Sequence, residues 1–134
     1  MAGDDRLFGA GGRDVLTGGP GADVVDFDRA EDSAGGPWRD LLRGGDGGRA
    51  FDGPGAAGGD LIDVSGIDAN TAAGGDQGFA WGGAGAGQLS LVEVGNTATL
   101  VRGNTDGDAA FEFELVIEDA QTLASHYAAA DFVL

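Results

Sequence analysis

Three aspartates recur at intervals of nine residues near the start of this 134-residue chain: Asp5, Asp14 and Asp23. Asp14 and Asp23 follow glycine-rich segments, Asp5 follows Gly3 in an incomplete block, and an aliphatic residue stands two positions after each aspartate. Those aliphatic residues are Leu7, Leu16 and Val25. Glycine adopts positive φ at little steric cost, and β-branched residues such as Val24 favour strands. Each block therefore predicts a tight turn, one carboxylate and a short strand.

The composition indicates which ligand such carboxylates would take. The chain has 23 acidic and 7 basic residues, a net charge of −16, 28 glycines and no cysteine. The acidic excess argues against nucleic acid and anionic membrane surfaces as partners, and the lack of cysteine excludes disulfides and thiolate metal sites. Carboxylate and backbone carbonyl oxygens remain, and Ca²⁺ takes such ligands in proteins. Without an ion, carboxylates on strands stacked about 4.8 Å apart would repel one another.

Two complete blocks, "GAGGRDVLT" (Gly9–Thr17) and "GGPGADVVD" (Gly18–Asp26), resemble the nonapeptide G-G-x-G-x-D-x-U-x of RTX calcium-binding proteins. The resemblance implies a parallel β-roll in which two nonapeptides make one coil. Loops one coil apart would then lie on the same side of the roll and share an ion.

The same resemblance implies a set of calcium ligands. It pairs Asp5 with Asp23, 18 residues later, and Asp14 with Asp32, and it makes Asp40 a further candidate. It also implies carbonyl ligands from the turn glycines, which are Gly3, Gly9, Gly11, Gly12, Gly18, Gly19 and Gly21.

The repeat pattern becomes irregular in the glycine-rich segment that follows. Gly44–Asp52 fits the nonapeptide but has Arg49 at the aspartate position, and arginine cannot ligate calcium. This block is either a covered or solvent-facing turn or a flexible loop. Gly55–Asp63 fits again, with Asp60 at the ligand position and Ile62 at the aliphatic one.

From residue 60 onward the sequence favours strands. The segments "LIDV", "QLSLVEV", "TATLV" and "AFEFELVI" alternate apolar with polar residues, as half-buried strands do. Turns are predicted near Gly95–Thr97 and at "GNTDGD" (Gly103–Asp108). The second turn is not an EF-hand loop, because Gly107 falls between the aspartates and Leu115 stands where the bidentate glutamate would be.

Three longer segments resemble the C-terminal domain of serralysin-type secreted metalloproteases: Gly59–Trp81, Gly103–Leu115 and Leu123–Leu134. Related modules end other type I secreted proteins, including lipases and the R-modules of alginate epimerases. The resemblance implies an all-β fold, with a parallel β-roll at residues 1–63 and an antiparallel β-sandwich-like cap at residues 64–134. The cap would end in a short helix at "TLASHYAAAD" (Thr122–Asp131), and both parts would form one folded unit.

The residues argue against an enzyme. There is no H-E-x-x-H zinc motif, and His126 is the only histidine. Ser65 and Ser125 therefore lack an assembled base that would activate them. The segment "GGDGGR" lacks the lysine and the hydroxyl residue of a phosphate-binding P-loop.

Two non-catalytic functions remain. In the first, the chain is the calcium-binding C-terminal module of a protein secreted from a Gram-negative bacterium. It folds outside the cell, follows a covalently attached passenger domain, and carries an uncleaved signal for the type I secretion apparatus at Asp131–Leu134. No apolar run in the sequence is long enough to predict a membrane span.

In the second possible function, the chain is a stand-alone, calcium-dependent module that binds polysaccharide or a cell surface. Aromatic residues could stack on sugars, although buried packing is their usual role; these are Trp38, Trp81 and Tyr127. An anionic polymer would require a basic patch from Arg39, Arg43 and Arg49.

Overall fold

The computed structural model describes residues 3–45, 49–53, 55, 58–71, 74–83, 85–95, 97–119 and 124–134. These residues form ten strands and four short 3-10 helices. The strands are β1 (Arg6–Phe8), β2 (Val15–Leu16), β3 (Val24–Asp26), β4 (Asp40–Arg43), β5 (Leu61–Asp63), β6 (Ala80–Trp81), β7 (Gln88–Val94), β8 (Ala98–Asn104), β9 (Phe113–Glu118) and β10 (Phe132–Val133). The 3-10 helices are Ala30–Ser33, Gly36–Trp38, Ala124–His126 and Ala129–Asp131.

The strands form two sheets, and the chain alternates between them in its first half. The first sheet has the order β1-β3-β5-β10, with all neighbours parallel. The second has the order β2-β4-β9-β8-β7-β6; its β2-β4-β9 part is parallel, and β9-β8-β7 is an antiparallel meander. Parallel stacking follows from the repeat, because each coil returns to the same sheet and runs in the same direction.

The core lies between the sheets and is built from aliphatic residues in register. Val25 of β3 lies beside Ile62 of β5, and Phe132 of β10 continues the row. In the second sheet, Leu42 of β4 lies beside Ile117 of β9. All five are buried. The aliphatic position of the nonapeptide is thus the core position of the roll.

The all-β prediction is confirmed, and the antiparallel cap is joined to the roll by strand pairing. Its strand β9 pairs with β4 over Asp40–Arg43, and β10 pairs with β5 through Phe132 and Ile62. The antiparallel strands therefore continue a sheet of the roll, because parallel and antiparallel ladders can share one sheet.

The predicted short C-terminal helix takes the form of two 3-10 turns and not of one continuous helix. Residues 122 and 123 lie outside the described part, and the rest of the segment contains only the 3-10 helices Ala124–His126 and Ala129–Asp131. The N–H of Ala128 donates to Asp131 Oδ2 at 2.8 Å, and the Tyr127 hydroxyl donates to Asp119 Oδ2 at 2.8 Å. The first contact lies within the segment, and the second holds it against Asp119, directly after β9. Among the described residues, no helix is long and apolar enough to cross a membrane.

Candidate metal centre

Aspartates of successive coils are connected along one side of the roll. The N–H of Asp5 donates to Asp23 Oδ1 at 2.9 Å, and the N–H of Asp23 donates to Asp60 Oδ1 at 2.8 Å. Each of these aspartates directly precedes a strand of the first sheet. One oxygen of each later carboxylate is therefore used to hold the preceding coil. We call Asp5, Asp23 and Asp60 the first aspartate column.

A second column runs along the other side. The N–H of Asp14 donates to Asp40 Oδ1 at 2.8 Å, although the two residues are 26 positions apart. Backbone pairing agrees, because Leu41 N–H donates to the carbonyl of Asp14 at 2.9 Å. The structure thus pairs Asp14 with Asp40 rather than with Asp32.

Asp32 has a different set of partners. Its Oδ2 accepts the N–H groups of Asp28 and Arg29 at 3.2 and 3.1 Å, and Oδ1 lies 3.7 Å from the Arg29 guanidinium. It therefore holds the first 3-10 helix. It is still close enough to Asp40 for its charge to raise the Asp40 pKa. A ligand role for Asp32 remains a prediction.

Three carboxylate oxygens of the columns are buried and have no hydrogen-bond partner: Asp5 Oδ2, Asp23 Oδ2 and Asp40 Oδ2. Asp23 is 2% exposed and Asp40 is fully buried. An ionised oxygen in such a place is costly unless a cation compensates it. These atoms therefore fit a hard divalent ion; in Asp23 and Asp40, one carboxylate oxygen holds the preceding coil and the other is left for the metal.

Two of the predicted glycines make the space for these oxygens. A Cβ on Gly18 would overlap the Asp23 carboxylate at Oδ2. A Cβ on Gly9 would lie 2.6 Å from Asp40 Oδ2 and would also overlap Phe27. Any larger residue at either position would displace a carboxylate from the place where the ion would bind.

The other turn glycines have several distinct roles. Gly21 has φ of 135°, and a Cβ there would overlap the carbonyl of Gly3, so successive turns are stacked closely. A Cβ on Gly11 would meet no atom within 4 Å. The remaining members of the predicted set adopt left-handed φ in the turns, and they are Gly3, Gly12 and Gly19.

Burial changes the acidity of the column carboxylates. It raises the pKa of Asp40 to about 6; the charges of Asp14 and Asp32 add to the increase, and the Asp14 N–H opposes it. Burial also raises the pKa of Asp60, and hydrogen bonds from the N–H groups of Asp23 and Asp52 oppose this increase. These increases show that the fold presents negative charge where solvent does not stabilise it.

The irregular segment closes around Asp60. Asp52 N–H donates to Asp60 Oδ2 at 2.8 Å, and Asp60 N–H donates to the Asp52 carbonyl at 2.8 Å. Both Asp60 oxygens thus accept hydrogen bonds, unlike those of Asp23 and Asp40. Within the block Gly44–Asp52, residues 46–48 lie outside the described part, so the two predicted alternatives stay open there.

The acidic turn rejected as an EF-hand brings Asp106, Asp108 and Glu112 together, with carboxylate oxygens within 4.8 Å of one another. Backbone N–H groups satisfy these carboxylates, as in an ordinary turn: Asp108 N–H donates to Asp106, and Thr105 N–H donates to Glu112.

A polar cluster that the sequence did not predict lies at the end of the second sheet. Asp119 Oδ2 accepts the hydroxyls of Thr99 at 2.6 Å and Tyr127 at 2.8 Å, while Glu93 Oε1 accepts the N–H of Ala124 at 2.8 Å. Burial, together with the charge of Glu93, raises the pKa of Asp119. No motif joins these residues, which become neighbours only through strand pairing.

Comparison with known proteins agrees with this geometry. The sequence model of the RTX calcium-binding nonapeptide repeat (HemolysinCabind) matches residues 1–34 with four copies. These residues therefore carry RTX calcium-binding repeats, and Ca²⁺ is their ion. No curated protein matches the chain significantly in sequence.

The fold is similar to the solution structure of the AlgE6R3 subunit from the Azotobacter vinelandii mannuronan C5-epimerase. The TM-score is 0.54 and the sequence identity is 24%, over 98% of this chain and 78% of the other. This similarity supports the all-β roll architecture.

Proposed function

We propose that this chain is the non-catalytic, calcium-folded C-terminal module of an exported protein, with an uncleaved type I secretion signal at Asp131–Leu134. The observation that carries the proposal is the pair of buried, unpartnered oxygens on Asp23 and Asp40. Such a fold is stable only where a cation fills the columns. Extracellular calcium modules bind at about 10⁻⁴ to 10⁻³ M, so the sites would stay empty in the cytosol and fill outside.

The position of the C-terminal tail supports export of the unfolded chain followed by calcium-dependent folding outside the cell. Asp131 is 1% exposed, and its Oδ2 accepts the N–H groups of Ala128 and Gly55. Phe132 is buried beside Ile62 and stacks on Trp81 with ring centroids 5.0 Å apart. A signal at Asp131–Leu134 would be readable only before folding, so an exporter would engage the unfolded chain.

Further parts of the proposal rest on the serralysin-type resemblance. The module would follow a passenger domain, and secretion would be from a Gram-negative bacterium. Residues 1–63 and 64–134 would fold as one unit, which the pairing of β9 with β4 and of β10 with β5 supports.

Export from cells that carry a type I exporter tests the signal. Deleting Asp131–Leu134 is expected to retain the chain in the cell pellet, whereas the parent enters the medium. A Gly18→Ala variant is the matched control, because it impairs calcium binding and leaves the signal intact, so it should still be exported. Equal export of the parent and the truncated chain would contradict the proposal.

A second candidate function, binding of an anionic polysaccharide, is favoured by the charge on the outer face of the second sheet. Four of the seven basic residues gather there: Arg13, Arg39, Arg43 and Arg102. Glu114 lies 3.6 Å from Arg39, and Glu118 lies 3.0 Å from Arg43. Asp40 also lines the groove beside this face, so four arginines stand against three acidic residues on an otherwise acidic molecule.

The arginines flank an apolar row that runs across five strands. The row is formed by residues in register, which are Val15, Leu41, Val116, Leu100 and Val92. A groove of about 500 Å³ lies against it, lined in part by Pro37 and Arg39. Trp38, in the same 3-10 helix as Pro37, is largely exposed, whereas Tyr127 is buried.

Calorimetric titration with mannuronan, the polymer named for the similar epimerase, tests this candidate function. Arg39→Gln is expected to weaken binding relative to Arg29→Gln, a control outside the groove. A neutral glucan of similar length should not bind. Equal affinities for both variants, or no binding of mannuronan by the parent, would remove this candidate.

A further inference from the structure

The irregular glycine-rich segment of the roll contacts the C-terminal segment at two points. Phe51 is 2% exposed, and its ring packs edge-on against Tyr127 with ring centroids 5.1 Å apart. The N–H of Gly55 donates to Asp131 Oδ2 at 2.7 Å, although the two residues are 76 positions apart. These contacts hold the residues just before β10 against a loop that precedes β5. We call the described residues 51–53, 55 and 58–60 the clasp.

The Asp131 carboxylate depends on the clasp for part of its hydrogen bonding. Asp131 is 1% exposed. Its Oδ2 accepts one N–H from its own turn, that of Ala128 at 2.8 Å, and one from the clasp, that of Gly55. A buried carboxylate that loses a donor is destabilised, because solvent does not replace the lost hydrogen bond. The turn that leads into β10 is therefore most stable while the clasp is closed.

Two glycines of the clasp share a backbone conformation but differ in their surroundings. Gly55 has φ of 76°, and Gly58 has φ of 83°. A Cβ on Gly55 would lie 2.8 Å from the carbonyl oxygen of His126, whereas a Cβ on Gly58 would meet no atom within 4 Å. Alanine is strained by the left-handed conformation at either position, but only at Gly55 does it also push the clasp away from the C-terminal segment.

The base of the clasp belongs to the first aspartate column. The N–H of Asp52 donates to Asp60 Oδ2, and the N–H of Asp60 donates to the Asp52 carbonyl, both at 2.8 Å. The other Asp60 oxygen, Oδ1, accepts the N–H of Asp23 at 2.8 Å. Asp23 Oδ2 is buried without a partner and is a proposed ion ligand. One carboxylate therefore joins the clasp to the site of an ion.

We infer that the clasp responds to calcium and couples ion binding at Asp23 to closure of the C-terminal segment on the roll. A bound ion holds Asp23 in place, and Asp60 then keeps the base of the clasp closed. Without the ion, repulsion between the column carboxylates loosens that base, and Asp131 loses the Gly55 N–H. The inference rests on the proposed calcium columns. It deepens the proposed function, because it makes burial of the signal at Asp131–Leu134 depend on the ion beside one aspartate.

The first test opens the clasp of the full chain with one methyl group. Gly55→Ala is compared with Gly58→Ala, its matched control, by amide hydrogen exchange in saturating calcium. The Ala128 amide, which donates to Asp131, reports on the C-terminal segment. The Leu41 amide, which donates to a backbone carbonyl of the preceding coil, reports on the roll.

Gly55→Ala is expected to speed exchange of the Ala128 amide by at least about tenfold relative to Gly58→Ala. Exchange of the Leu41 amide should be the same in both variants, because both carry the same backbone strain. Equal exchange of the Ala128 amide in the two variants would overturn the inference.

The second test distinguishes an ion that acts through the clasp from one that acts through strand pairing. Asp23→Asn keeps an oxygen for the Asp5 N–H but removes the charge that binds the ion. It is introduced into Gly58→Ala, where the clasp is closed, and into Gly55→Ala, where the clasp is open. Asp23→Asn should speed Ala128 exchange about tenfold in the first background and less than about threefold in the second. The same acceleration in both would mean that β3, β5 and β10 carry the effect, which contradicts coupling through the clasp.

Two amides of the roll separate failure of this inference from failure of the proposed function. The Leu61 amide donates to the Asp23 carbonyl, and the Leu41 amide donates to the Asp14 carbonyl, so both should be protected whenever calcium folds the roll. If calcium protects neither amide in the parent, calcium-dependent folding and the clasp are both wrong. Protection of both, with equal Ala128 exchange in the two glycine variants, would reject only the clasp.

Discussion

At the scale of single residues, the main feature is a set of carboxylates with two separate tasks. In Asp23 and Asp40, one oxygen accepts a backbone N–H from the preceding coil, and the other is buried with no partner. The first contact sets the register of the stack, and the second atom makes the stack depend on a cation. Structure and ion binding therefore use the same side chain.

The space beside Asp23 predicts the effect of a single methyl group. Gly18→Ala should displace the Asp23 carboxylate and weaken calcium at that site by about 10- to 100-fold. Gly11→Ala is the control, because a Cβ there meets no atom within 4 Å. Calorimetric titration of both variants checks this, and equal affinities would contradict the role of Gly18.

The second column predicts which aspartate is needed for the ion beside Gly9. Asp40→Asn keeps the acceptor for the Asp14 N–H but removes the charge, so the chain should bind one ion fewer. Asp32→Asn should keep the parent stoichiometry, because Asp32 already accepts two backbone N–H groups. Loss of an ion in the Asp32 variant alone would reverse this assignment.

Asp119 predicts a pH effect away from the calcium columns. Burial and the charge of Glu93 raise the pKa of Asp119 in the folded state above its value in the unfolded chain. Hydrogen bonds from the Thr99 and Tyr127 hydroxyls oppose this increase. The folded state then holds the proton more tightly, so this group stabilises the fold at low pH. Its contribution is lost as pH rises from the unfolded pKa through the folded pKa.

Asp119→Asn removes this titration. The melting temperature of the variant, relative to the parent, should rise as pH increases from about 4 and then become constant above the folded pKa. Thermal melts of both proteins between about pH 4 and pH 8 at saturating calcium provide the measurement. Parallel profiles across that range would show that the pKa of Asp119 does not change on folding.

At the scale of elements, regular spacing decided what the sequence could predict. The nonapeptide repeat predicted strands at β1, β2 and β3, and the alternation of apolar with polar residues predicted strands at β7, β8 and β9. The partner of Asp14 could not be found by counting, because the 3-10 helices before β4 lengthen the coil and put Asp40 26 residues away. Asp60 was found because its own block kept the motif, although 37 residues separate it from Asp23.

The last strand predicts a packing effect at the C-terminus. Phe132→Ala should lower the free energy of unfolding by about 3–5 kcal/mol, because the ring is buried against Ile62 and Trp81. Val133→Ala, at a partly exposed position of the same strand, should change it by less than about 1 kcal/mol. Urea denaturation in saturating calcium measures both, and equal losses would contradict a packed β10.

At the scale of the whole molecule, the acidic excess and the glycine content oppose folding unless ions are bound. The net charge is −16, and 28 of the 134 residues are glycine, each of which loses much conformational freedom on folding. Calcium that binds only the folded state stabilises it by mass action. Because β9 and β10 pair with strands of the roll, we propose that the cap folds together with the columns.

The most direct measurement is far-UV circular dichroism of the full chain during calcium titration from chelator to about millimolar concentration. Calcium-dependent folding predicts a largely disordered spectrum in chelator and one cooperative transition to a β spectrum as calcium is added. It also predicts that magnesium at the same concentration does not substitute, because Mg²⁺ favours a smaller, octahedral and partly hydrated site. A spectrum that is the same in chelator and in millimolar calcium would contradict calcium-dependent folding.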